Sequence, residues 1–325
     1  MGEVDAKAVL REHDVFVASD NAFQRRARLL QALWREERGY PAGSYTSRPK
    51  KGRPKKRSLG SRLRMPDAET ELWNYLTPAI GSLVRAELEA NRAVTDSRYK
   101  KLYTERRLFE DLLSSQPLCF NLFGELALDL DLATAVGRRL WPDRIDRVTA
   151  IRFEYPPGRG DLRYLGNRSA ADALIEHTTP TGKCGLIAIE TKYHESLGGK
   201  AGEWKPRYTT LLSKTGVVRS VDSDLRQGWL QQILLDHLLA LSMLEADPWA
   251  TALFVFAYPR PNERCEEAVA EYQSRLTTRG EQSFEPRTLE QIVDALKSEV
   301  NGRWVGQFRR RYLAWDRAET LLSGL

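Results

Sequence analysis

Glu190 and Lys192 stand two residues apart at the end of an apolar run, Gly185-Leu186-Ile187-Ala188-Ile189, and Asp172 lies eighteen residues upstream in a second strand-like segment, 169–178. Residues two apart on a strand point to one face, so the carboxylate and the ammonium are expected side by side. Charges held against a hydrophobic sheet are costly unless they are paired or bound to a metal. Two carboxylates from neighbouring strands suit Mg²⁺, which takes oxygen ligands, keeps several waters and uses only one or two protein acids. With a lysine beside them, the chemistry within reach is phosphodiester hydrolysis. That reaction needs on the order of 20 kcal/mol of barrier reduction. A divalent ion can polarise the phosphate, and an ammonium can stabilise the charge of the transition state or orient the attacking water.

The spacing is informative only in context. With 26 Glu and 13 Lys among 325 residues, random placement gives about one Glu-x-Lys. Two occur. Glu203-Trp204-Lys205 runs into Pro206 within a glycine-rich stretch and lacks strand character. The pair at 190 and 192 closes an apolar segment. An edge strand with its charges in water is the bland alternative, and the unbroken run 185–189 favours an interior strand instead.

The elements that must position these residues follow from periodicity. A helix is expected at 20–38, with Phe23, Ala27, Leu30 and Trp34 on one stripe, ended by Gly39-Tyr40-Pro41. Residues 40–66 carry seven Pro and Gly and predict an extended linker. Helical patterns return over 66–113 and again over 117–141. Strands are expected at 147–155, at 169–178 and at 184–193. Pro180-Thr181-Gly182-Lys183 makes a hairpin of the last two. The stretch 194–224 predicts a long loop, in which Lys200, Lys205, Arg207, Lys214 and Arg219 could line a DNA channel. Then come a helix at 225–244, a strand at 249–258, and helices at 262–276, 288–299 and 303–323. The middle of the chain therefore reads αβββαβ.

Composition narrows the class. Hydrophobic residues make up 42% and charged residues 29%, as in folded soluble proteins. No apolar run approaches the roughly 18–20 residues of a membrane helix, and the N-terminus lacks the basic start and apolar core of a secretory signal. Cys119, Cys184 and Cys265 are odd in number and far apart, which suggests neither a disulfide framework nor a zinc site. A cytoplasmic protein without a membrane partner is expected.

Four segments resemble the PD-(D/E)xK nuclease superfamily, and within it bacterial restriction endonucleases. They are Pro117-Leu-Cys-Phe-Asn-Leu-Phe-Gly-Glu-Leu, Ser169-Ala-Ala-Asp-Ala-Leu-Ile-Glu, Leu186-Ile-Ala-Ile-Glu-Thr-Lys-Tyr and Gln232-Ile-Leu-Leu-Asp-His-Leu-Leu-Ala. The resemblance implies an α/β, restriction-endonuclease-like αβββαβ core, a central mixed sheet flanked by helices, with an N-terminal helical extension and C-terminal helices. It implies a division into residues 1–115, with the basic linker 40–66, and a nuclease-like domain at 116–325. It casts Asp172 and Glu190 as metal ligands and Lys192 as the catalytic lysine, with Mg²⁺ as cofactor and Mn²⁺ as a substitute. Ala171 stands where the family's proline would precede the aspartate. Glu125, on the first core helix, is a further candidate acid. Gln232 resembles a glutamine that some relatives carry on the helix after the lysine strand. His194 would share a face with Glu190 and Lys192 if the strand continued; His237 is near only by the fold.

The net charge of +6 is local. Nine Lys and Arg and no acid lie between Arg48 and Arg64, which leaves the rest of the chain at −3. Arg48, Lys50, Lys51, Arg53, Lys55, Lys56 and Arg57 surround a Gly-Arg-Pro that resembles an AT-hook. Prolines keep such a segment extended, and Arg53 could enter a narrow minor groove. A solvated basic linker is the alternative. The activity expected is Mg²⁺-dependent DNA cleavage of a restriction or defence type. A repair or recombination nuclease acting on ends or branches, and an idle DNA-binding protein of the same fold, are the alternatives. A homodimer is expected if both strands are cut; the recognised site and any partner methyltransferase are not deducible.

Overall fold

In the computed structural model the described residues are 5–47, 53–195, 197, 201–300 and 302–323. They form two compact units. One comprises residues 1–83, 103–122 and 302–325; the other comprises 84–102 and 123–301. This partition differs from the expected boundary at 115/116, because helices from both ends of the chain share the first unit.

The second unit is built on a five-stranded sheet. Its strands are β3 (Arg147–Tyr155), β4 (Ala171–Thr178), β5 (Cys184–Thr191), β6 (Thr251–Tyr258) and β7 (Phe284–Thr288), adjacent in that order. The first three run antiparallel, and β5, β6 and β7 run parallel. The turn between β4 and β5 is closed by Thr179 N–H to Lys183 O at 2.8 Å, with Gly182 at φ +75° where a side chain would be strained. Helix Leu130–Leu140, β3, β4, β5, helix Gln231–Ala246 and β6 give the expected αβββαβ order.

β7 was not expected. Its sequence, Phe-Glu-Pro-Arg-Thr, has Pro286 at its centre, and a proline normally argues against a strand. It is tolerated because β7 is the outermost strand, where a missing N–H breaks no ladder on the far side.

One face of the sheet is covered by helix Gln231–Ala246. There Leu174, Leu186, Ala188, Phe254 and Phe256 pack with Leu234, Leu238 and Leu241. Helix Leu130–Leu140 packs on β3, where Gly137 allows contact with Val148. The expected helix at 225–244 is two helices, Ser223–Gln227 and Gln231–Ala246, broken at the extended Gly228. The helix expected at 303–323 likewise breaks at Leu313.

In the first unit, much of the described part of the expected linker 40–66 is strand. β1 (Ala42–Ser47) pairs antiparallel with β2 (Lys55–Leu63). Leu59, Ser61 and Leu63 are buried at period two, a strand signal that the prolines and glycines masked. Gly60 is required there, since a Cβ would lie 2.1 Å from the His13 carbonyl oxygen. Arg35 Nε donates to the Gly60 carbonyl at 2.8 Å and anchors the strand to helix Ala22–Glu37.

Candidate active site

Three acids form a row across three strands. Ala173 on β4 faces Phe153 on β3 and Ile189 on β5. Carried one residue along, the register sets Asp172 between Glu154 and Glu190. Strand alternation puts them on the face covered by helix Gln231–Ala246. That helix brings Gln232 and Asp236 over the row. Glu154, Arg168, Asp172, Glu190, Gln232 and Asp236 line one cavity of about 600 Å³.

Each carboxylate is held differently. Asp172 Oδ2 accepts from the Thr191 backbone N–H at 2.8 Å and from its hydroxyl at 2.7 Å. Glu190 Oε1 accepts from Lys192 Nζ at 2.7 Å and from Gln232 Nε2 at 3.0 Å. Glu154 pairs through Oε1 with Arg159 Nη2 at 3.0 Å, and its backbone sits at φ +44°. A non-glycine residue there carries strain of about 1–3 kcal/mol, a feature that gathers at functional sites. Asp236 Oδ2 is buried without a hydrogen-bond partner.

The electrostatics follow from burial. Burial pushes Glu190 well above the usual carboxylate range, and Asp172 adds to the rise. It also raises Asp172, against the pull of Lys192 and of the Thr191 donors. Glu154 is raised by burial and by Asp172. Asp236 is pushed up to about 7, mainly by burial and with Asp172 adding to it. For Lys192, burial opposes the charge, but Glu190 and Glu195 outweigh it and raise the pKa. Glu195 lies below its ordinary value because His194, Lys192 and the Tyr193 N–H outweigh its desolvation. The site thus crowds four acids of raised pKa together, with the Lys192 ammonium held charged beside Glu190.

Such a donor set fits a hard divalent cation. The cavity offers oxygen ligands without thiol or imidazole, and it contains a buried carboxylate oxygen that no protein group satisfies. Among the described residues no three Asp, Glu, His or Cys side chains stand close enough to enclose an ion alone. A site of one or two carboxylates completed by water is the arrangement left. Asp172 and Glu190, adjacent on β4 and β5, are the carboxylates that would hold it.

The sequence model of the PD-(D/E)XK nuclease superfamily matches residues 18–314. The chain belongs to this superfamily. No curated protein and no solved structure matches it significantly. Membership makes it a nuclease in general class, of a kind that uses divalent metals.

In this PD-(D/E)XK chain, Asp172, Glu190 and Gln232 line one cavity, and Lys192 joins them through its bond to Glu190. Glu125 lies half-buried on helix Ser115–Leu128 and is not among the residues lining that cavity. His194, two residues beyond Lys192, is half-buried, is not among the residues lining the cavity, and acts on Glu195. His237 is a core residue: its ring nitrogens bond Tyr272 Oη and Ser283 Oγ, each at 2.9 Å, and burial lowers its pKa to about 3. Arg53, Lys55, Lys56 and Arg57 are exposed on the hairpin of the first unit. Arg48, Lys50 and Lys51 lie outside the described residues.

The expected loop at 194–224 contains helix Pro206–Thr215; Lys200 lies outside the described residues, and Lys205, Arg207, Lys214 and Arg219 have protein partners. Arg207 donates to the Tyr164 carbonyl at 2.8 Å, and Lys214 pairs with Glu245 at 2.8 Å. Sequence reasoning missed Glu154, because its place in the row depends on register. It also missed Asp236, whose signal was its place, with His237, as an interruption of the apolar run 233–244, four positions after Gln232.

Proposed function

We propose that this PD-(D/E)XK protein is a Mg²⁺-dependent DNA endonuclease of a restriction or defence type, acting in the cytoplasm and accepting Mn²⁺ in place of Mg²⁺. The observation that carries the reading is that Asp172 and Glu190, on adjacent strands, line one cavity, with the Lys192 ammonium bonded to Glu190 at 2.7 Å. Asp172 and Glu190 would hold the cation, which supplies phosphate polarisation and a more acidic bound water. Thr191 fixes the Asp172 carboxylate, and Gln232 fixes that of Glu190. Lys192, kept charged by Glu190 and Glu195, stabilises negative charge developing on the phosphate. Arg168, on the cavity wall, is placed to contact the DNA backbone. The exposed hairpin cations add affinity that does not depend on metal. Two chains acting as a homodimer would cut both strands.

The test is supercoiled plasmid incubated with Mg²⁺. Wild-type protein should nick or linearise it. Asp172→Ala, Glu190→Ala and Lys192→Ala should each lower cleavage by at least roughly 10³-fold, the scale for removing a group that stabilises transition-state charge. Undiminished cutting by Glu190→Ala, or cutting in EDTA, would overturn the reading. Linear and branched DNA in parallel separate an endonuclease from an end- or junction-directed enzyme.

A further inference from the structure

We infer that Asp236 is an outer carboxylate of the cation site, one oxygen steadying Gln232 and the other, Oδ2, accepting a hydrogen from a cation-bound water. The inference rests on the metal-dependent reading above and names a residue that the sequence pattern does not assign.

Three observations converge on it. Asp236 lines the same cavity as Asp172 and Glu190. Its Oδ2 is buried and has no partner among the described residues, whereas Asp172 Oδ2 and Glu190 Oε1 each accept two hydrogen bonds. Finally, the described acids do not stand close enough to enclose an ion by themselves, so Asp236 is not placed to join the other two as a direct ligand.

The chemistry of the ion supplies the missing partner. A small divalent cation retains several waters, and those waters are strong hydrogen-bond donors that need acceptors. Gln232 and Asp236 are four residues apart on one helix and share a face. Gln232 reaches Glu190 at 3.0 Å and is also hydrogen-bonded to Asp236. Asp236 is therefore one step removed from a ligand through Gln232, and faces the cavity with its other oxygen. A residue needed only to support the helix would not carry an unpaired buried oxygen at the cavity wall. Asp236 is a positioning residue in this account.

The experiment is calorimetric titration of Mn²⁺ into the full-length protein without DNA. Asp236→Asn, close in shape, should weaken Mn²⁺ binding about 10–100-fold, the usual scale for an outer-layer partner. Asp172→Ala should abolish binding. In EDTA the Asn variant should melt at or above the wild-type temperature, since it removes a buried unpaired charge. Asp236→Ser gives the same titration readout should the Asn variant fold poorly. If Asp236 acts only by propping Gln232, adding Asp236→Asn to Gln232→Leu will cost no further affinity; a further loss supports the outer-carboxylate role. Wild-type Mn²⁺ affinity in Asp236→Asn, with binding lost in Asp172→Ala, overturns the inference and leaves the metal-dependent reading standing. Unchanged binding in Asp172→Ala and Glu190→Ala alike defeats that reading, and this inference with it.

Discussion

Asp236 also makes the metal-free protein sensitive to pH. Its carboxyl is raised from an ordinary 3.8 to about 7 in the folded chain, chiefly by burial. Between those values the folded state binds a proton that the unfolded state has released. The stability associated with that proton is complete below about 4 and is lost as pH rises through about 7. Glu190 and Asp172 are shifted in the same direction, so their contributions have the same sign. The melting temperature in EDTA should therefore fall between pH 5 and pH 8, and the fall should be smaller in Asp236→Asn. Identical slopes in the two proteins would show that Asp236 does not titrate in this window. The Glu-x-Lys pair and its aspartate could be recognised in the sequence because apolar flanks make a charged residue conspicuous. Glu154 could not, since an acid at a strand end before two prolines looks solvated until its neighbours are known.

Among the elements, the β1–β2 hairpin gives the basic segment a definite form. Arg53, Lys55, Lys56 and Arg57 are exposed, and no described acid forms an ion pair with them. Lys55, Lys56 and Arg57 pair in register with Ser47, Thr46 and Tyr45. A two-stranded ribbon carrying unpaired cations can follow a nucleic-acid groove with its backbone already ordered. Replacing these four residues by Ser should weaken DNA binding. The log–log salt dependence should flatten by about 0.9 for every phosphate that the variant no longer neutralises. Cleavage at low salt should persist. Equal affinity and slope before and after the change would remove the hairpin from DNA binding. The αβββαβ core was legible because its strands are long and apolar, whereas this hairpin was hidden by glycines and prolines that normally punctuate loops. Gly60 is in fact the residue that lets β2 pass beside His13.

For the whole molecule, the chain does not divide at a single point. The unit that holds the cavity includes residues 84–102 as well as 123–301. Arg159 shows why. Its backbone N–H bonds the Arg98 carbonyl at 2.8 Å and its Nε bonds the Lys100 carbonyl at 3.0 Å. The same guanidinium holds Glu154 in the acidic row. A chain begun at residue 116 should therefore melt earlier and less cooperatively than the intact protein, and should cleave poorly. Thermal melting that matches full length, with full cleavage, would refute this. Sequence reading missed the arrangement because partners some sixty residues apart leave no periodic trace. The proline at the middle of β7 bears on self-association. Lacking an N–H, Pro286 interrupts the hydrogen-bonding edge that a strand from a second copy would need to extend the sheet. A second copy cannot extend the sheet by backbone pairing along the whole of β7, and concentrated protein gains some protection against fibril growth from that border.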